Sequence, residues 1–317
     1  HETLIAEAIK VDSSRMNRYC RTVNPNFLQQ LNKKKPTTMV MPAEIHVGTP
    51  TAPLRLSARG PAGYARKELS VETRPGEEVL VLADLRTEGT LLVHTELSVA
   101  AGATVRLVQL VRPETAGSRL ASQVTARCAD GGRVELVQVL LGRGDVWCED
   151  KVVLDGAGSS LAADLGYLGQ AKQQRDIGLV VDHYGRETKS EIHAGGALRD
   201  AAEKTFRGTI DFKRGASGAV GSELETVLML GEDAVNKTVP VILCAEEDVV
   251  GEHGASIGAL DEETLFYFES RGIGRAQAEE LLARAAIERL ARRAGDEEMA
   301  QTILDALEEE LSHEGLS

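Results

Sequence analysis

Aromatic residues are scarce in this chain of 317 residues: one Trp, five Tyr and five Phe, 3% in all. A core built on large rings is therefore excluded, and Ala, Val and Leu carry most of the apolar fraction. Small and branched side chains suit a regular stack of strands. Basic charge is in deficit, with 36 Lys and Arg against 49 Asp and Glu and a net charge of −13. A nucleic-acid binder needs a basic surface to displace counterions from phosphate, so the balance argues against that class. The dense basic cluster Lys33-Lys34-Lys35 stands beside Pro36 and reads as a solvated loop. The four cysteines, Cys20, Cys128, Cys148 and Cys244, form no CxxC pair or zinc-finger spacing. They read as free, mostly buried thiols in a reducing cytoplasm. No apolar run approaches the roughly 18 residues of a membrane span, and no signal-peptide pattern is visible. Also missing are the hydrolase nucleophile elbow, the Walker phosphate loop, the dinucleotide fingerprint and His-Glu-x-x-His.

What is present divides into three regions. Residues 1–36 form an N-terminal helical segment and linker: Leu4, Ile5, Ala8 and Ile9 fall at helical spacing, and Asn32–Pro36 reads as the linker. Residues 37–258 change period. Strand-like runs recur at Glu78–Leu82, Leu91–Val99, Val105–Val111, Val134–Leu140, Ile177–Val181 and Phe206–Phe212. Turn glycines punctuate them at Gly76, Gly89 and Gly102, and more loosely from Gly131 to Gly158. No helical period interrupts the region, which argues against alternating βαβ units. An antiparallel sandwich or barrel and a β-solenoid both survive, and the length, small residues and loose glycine period favour the solenoid.

Residues 259–317 return to helix. Asp261 is placed to cap a helix whose first turn holds Glu262 and Glu263, with Gly272 as its stop. A second helix follows from about Arg275 to Gly295, and Asp296 is placed to cap a third. A helical cap suits a solenoid, whose ends otherwise expose unpaired strand edges.

Residues 204–273 carry the most specific signal. Phe206-Arg207-Gly208, Glu252-His253-Gly254-Ala255, Phe266-Tyr267 and Ser270-Arg271-Gly272-Ile273 occur in an order and spacing that resemble the SufB/SufD family, the scaffold proteins of iron–sulfur cluster assembly. The resemblance is closer to SufD. It implies a mainly β fold, a right-handed parallel β-helix with N-terminal and C-terminal α-helical caps. It also implies two partners, a SufC-type ABC ATPase and a SufB-type paralogue or a second copy of the chain in a dimer. An iron–sulfur cluster would then be held transiently in the assembled complex, with none bound tightly by the isolated chain.

Within that resemblance His253 is the candidate metal ligand, with Glu252 beside it to orient the ring or to ligate, the site being shared with a partner chain. The pair reads as part of a short turn flanked by Gly251 and Gly254. Imidazole suits iron, although a lone His in a turn is more often an ordinary surface residue. SufB-type members place a cysteine between a Gly-Asp/Glu turn and a Thr-Val-Pro run; here Ala234 stands there, between Gly231-Glu232 and Thr238-Val239-Pro240. Cys244 reads as a buried structural thiol. His183 and His193 read as surface residues, and Lys204–Arg214 as the solvated face of a strand. Phe266, Tyr267 and Arg271 are the candidate partner-binding residues, with a plug for the solenoid end as the alternative for both rings. Two other readings of the whole chain stay open: a solenoid carbohydrate-active enzyme, and a purely structural adaptor.

Overall fold

The computed structural model describes residues 38–39, 43–46, 53–60 and 62–312, the first two stretches by their backbone. The helical reading of residues 1–31, the linker at 32–36 and Cys20 lie outside the described residues. Among the described residues eighteen strands run from β1 (Thr38–Met39) to β18 (Val249–Ala259), followed by three helices, α1 (Glu262–Glu269), α2 (Arg275–Ala291) and α3 (Glu297–Ser312).

Consecutive strands alternate between two all-parallel sheets. From β3 (Leu54–Gly60) through β15 (Ala219–Met229) the odd strands form one sheet, which β18 completes; the even strands form the other. The even sheet ends on β16 (Val235–Thr238) and β17 (Val241–Cys244), which lie end to end along β14 (Glu203–Phe212) and are separated by Val239 and Pro240. This is the expected parallel β-solenoid, and an antiparallel sandwich is ruled out. Register is continuous: Val79, Val105 and Val134 stack in one column, as do Leu91 and Leu120. Paired residues of a parallel ladder share a face, so each coil adds a layer of inward Val, Leu, Ile and Ala to one long core.

The glycine rhythm has a geometric cause. At the corner leading into the odd sheet, Gly76, Gly102, Gly131, Gly158 and Gly218 all have positive φ. Each donates its N–H to a carbonyl of the next coil, at 2.7–2.9 Å. Only Glu187 (φ 57°) occupies this column without being glycine. A left-handed corner in every coil selects glycine because it has no Cβ to clash.

The helices begin and end as the sequence predicts. Asp261 accepts from Thr264 N at 2.7 Å and Asp296 from Met299 N at 2.8 Å, while Gly272 and Gly295 take positive φ. Their seat is different from an end cap. Ile287, Leu290, Met299, Ile303 and Leu307 pack on Leu82, Val108, Leu110, Val139 and Leu168, the outward face of the odd sheet. Asp164 of that face takes Arg293, and buried Glu310 of α3 accepts from Gly142 N at 2.6 Å. The second sheet face is covered in this way, and among the described residues the rung made by β16, β17 and β18 keeps a free edge: β18 pairs with β15 alone and almost every residue in it is exposed.

Candidate functional site

The candidate histidine lies on that last rung. Glu252-His253-Gly254 forms no turn; it is the middle of β18, paired in register with Ser222, Glu223 and Leu224 of β15. The neighbouring glycine serves packing. A Cβ on Gly251 would stand 3.1 Å from the Phe212 ring and 3.0 Å from Ile242, so glycine is what fits above that inward ring. Two-residue alternation also separates the proposed pair. In β15 the buried residues are Ala219, Gly221, Glu223, Glu225 and Val227, so His253, stacked on Glu223, faces the solenoid interior, and Glu252, stacked on Ser222, faces outward. Glu252 therefore does not orient His253; the carboxyl on its own face is Glu223.

Beneath His253 lies a polar interior that the sequence reading missed. Lys204, expected on a solvated face, is fully buried. Its ammonium meets Glu225 in an ion pair and donates to Thr238 Oγ1 at 3.2 Å, while Thr238 Oγ1 donates to Glu225 at 2.6 Å. Burial pushes the Lys204 pKa down and the charge of Glu225 opposes that shift. Glu223 is pushed up to about 7 by burial and by Glu225, against the pull of Lys204. Its carboxyl occupies the space that a side chain at Gly208 would fill. The Phe206-Arg207-Gly208 motif thus splits by alternation. Phe206 enters the core, Gly208 makes room for Glu223, and Arg207 faces outward to bridge Asp176 and Glu149 across two rungs.

Other readings are corrected. His183 is buried, its ring nitrogens within hydrogen-bond distance of Thr188 Oγ1 (2.8 Å) and Ser190 Oγ (2.9 Å), and burial lowers its pKa to about 4. His193 is half-buried on the outward face of the odd sheet, paired with Asp164. Cys244 is exposed, because it ends the last, uncovered strand of the even sheet, whereas Cys128 and Cys148 are buried. Partial burial and Asp211 raise the Cys244 pKa, which works against thiolate formation. Ala234 sits in the turn before β16 and offers no ligand atom. Among the described residues no three His, Cys, Asp or Glu side chains converge where a metal ion could be held.

The family model for the SUF system FeS cluster assembly SufBD core domain matches residues 57–286, which take in the solenoid from β3 onward and most of α2. The chain belongs to the SufBD family. It is similar to the iron-sulfur cluster assembly protein SufD of Bacillus subtilis, 32% identical over 52% of this chain and 38% of the relative. It is also similar to the chloroplastic SufBD family protein ABCI8 of Arabidopsis thaliana, 31% identical over 48% of this chain and 27% of the relative. A SufBD family protein of Mycobacterium leprae aligns over 87% of this chain and 72% of its own length at 25% identity. The chain spans about a third of the length of the first curated relatives it matches. Within that family the chain is SufD-like.

In this SufBD chain α1 has no buried residue. Phe266 and Tyr267 are 72% and 54% exposed, so neither plugs the solenoid end. Arg271 lies over the Tyr267 ring, 3.7 Å from its centroid. A short helix displaying two rings and a stacked guanidinium has the composition of an interface anchor. No described helix is long and apolar enough to cross a membrane.

Proposed function

We propose that this chain is a SufD-like scaffold subunit of a SUF iron–sulfur cluster assembly complex, closed at its free rung by a SufB-type paralogue or a second copy of itself. The observation that carries this is the free rung. Among the described residues it leaves the outer edges of β18, β16 and β17 unpaired and exposes Val235, Val239, Val250 and Ile257, with Val220 and Leu224 of β15 exposed beside it. Unpaired edges beside an apolar surface are a template for strand pairing, and proteins that leave them open normally cover them with a partner. His253 lies on this rung, so a cluster assembled there as cargo takes one imidazole ligand from this chain. Its thiolates come from the partner, since a cluster takes about four ligands, mostly Cys, and Ala234 supplies none.

The SufC-type ATPase docks on α1 through Phe266, Tyr267 and Arg271, and ATP hydrolysis belongs to that partner because this chain has no Walker motif. The test is co-expression with both partners and affinity capture of this chain. Val250→Lys with Ile257→Lys is expected to lose the paralogue and keep the ATPase; Phe266→Ala with Tyr267→Ala is expected to do the reverse. Loss of both partners together from either variant, with folding intact, would contradict separate docking surfaces.

A further inference from the structure

The last rungs leave an unsatisfied polar well at the mouth of the solenoid. The side chains that face it are Tyr167 from β11 (Ser160–Gly169), Lys204 from β14, Glu223 and Glu225 from β15, Asn236 and Thr238 from β16, and His253 from β18. Lys204 is already committed to Glu225 and Thr238. What is left over is acceptor-rich. Glu223 is 5% exposed and makes no hydrogen bond or ion pair among the described residues. Asn236 Oδ1 and Tyr167 Oη are buried and lack hydrogen-bond partners. Two carboxyl groups face one ammonium.

Burying an amide oxygen and a phenol without partners, beside a carboxyl that makes no hydrogen bond, is costly, and native structures rarely leave such groups unmatched. The well also has an entrance. Gly251 and Ala255, the inward residues on either side of His253 in the final strand, are small, and among the described residues no further strand covers them. A metal ion fits poorly, because no three ligating side chains converge and Lys204 already supplies a positive charge.

We propose that the well receives one cationic side chain, the ammonium of a Lys or the guanidinium of an Arg, from the chain that closes the free rung. This rests on the reading of that rung as a subunit interface. Such a group brings the hydrogen-bond donors that Glu223 and Asn236 lack and balances the second carboxylate. Lys204 and Glu225 from the flanking strands, and His253 above, share the well with it.

The experiment is calorimetric titration of the full chain with its SufB-type paralogue, for wild type and Glu223→Gln. The variant is expected to bind at least about tenfold more weakly, having lost a charge-assisted hydrogen bond. Equal affinity of the two proteins would overturn the proposal while leaving the interface intact. If no paralogue binds and the chain does not self-associate, the interface reading fails instead. The well is then probed in the free chain with n-butylammonium and methylguanidinium. A shift of the Glu223 carboxyl carbon resonance that is absent from Glu223→Gln supports it, and no shift overturns it.

Discussion

His253 stacks on Glu223, one rung below it on the same face of the odd sheet, and is separated from its sequence neighbour Glu252 by the sheet itself. The chemistry available to the imidazole is therefore set by the solenoid interior. Replacing Glu252 with Ala is expected to leave cluster assembly in the full complex close to wild type, while His253→Ala folds normally and abolishes it. Iron and sulfide content of the purified complexes checks this. Equal losses from the two variants would mean that they act together after all.

The buried pair of Lys204 and Glu225 makes a stability prediction. Neither side chain reaches solvent, and the ammonium is bound by Glu225 and Thr238, with the Glu223 carboxyl also facing it. Lys204→Met leaves a carboxylate buried without its cation and is expected to cost about 3–5 kcal/mol. The double change Lys204→Met with Glu225→Leu is expected to recover most of that, because the Glu225 carboxylate is removed along with its cation and no longer crowds Glu223. Urea unfolding of the three proteins measures it; a double variant as unstable as the single would show that the pair does more than balance charge.

Asp150 predicts a pH dependence. It is buried inside the solenoid, accepts from Val124 N at 3.0 Å, has no cation beside it, and burial pushes it up to about 8. The folded state holds this proton more tightly than the unfolded chain, whose carboxyls titrate near about 4. Its contribution to stability is full below that value and is lost as pH rises through about 8. Glu223 and Glu310, each raised to about 7, act in the same sense, so the diagnostic quantity is a difference. Asp150→Asn is expected to lose part of the decline in stability between about pH 5 and 8 shown by wild type. Identical pH profiles for the two proteins would show that Asp150 is ionised in the fold.

Phe266 and Tyr267 are exposed on a helix without buried residues. Changing each to Ala is expected to alter stability by less than about 0.5 kcal/mol, as for surface positions in general. Capture of the ATPase is expected to fall by at least about tenfold for one of them, as for an interface hot spot. A large loss of stability would indicate a packing role instead.

The solenoid was legible in the sequence because its causes repeat: alternating Val and Leu in strands such as β7 (Thr104–Pro113), and a glycine at the same corner of several coils. Strands with irregular interiors escaped notice. In β10 (Asp145–Leu154) the inward column includes Cys148 and Asp150, and in β13 (Lys189–Leu198) two glycines interrupt the pattern. The site was half legible. His253 and the exposed rings stood out as residue types, but Gly251 signals a turn in sequence and close packing over Phe212 in the fold. Glu223, Lys204 and Asn236 gave no signal of their own, because charged residues in a strand normally face water and only register shows that these face inward. Alternation within Glu223-Leu224-Glu225, with leucine opposite in phase to both acids, was the one available hint.

The most direct test of the free rung as a subunit interface is amide hydrogen exchange of the intact chain, alone and with the SufB-type paralogue. The account expects fast exchange in β18 of the isolated chain wherever its N–H groups point away from β15, and strong protection of β16, β17 and β18 in the complex. Helix α1 should be unaffected until the ATPase is added. Unchanged exchange across Val249–Ala259 in a complex shown to have formed would contradict the account, because the partner would then be bound elsewhere and the open edge would need another explanation.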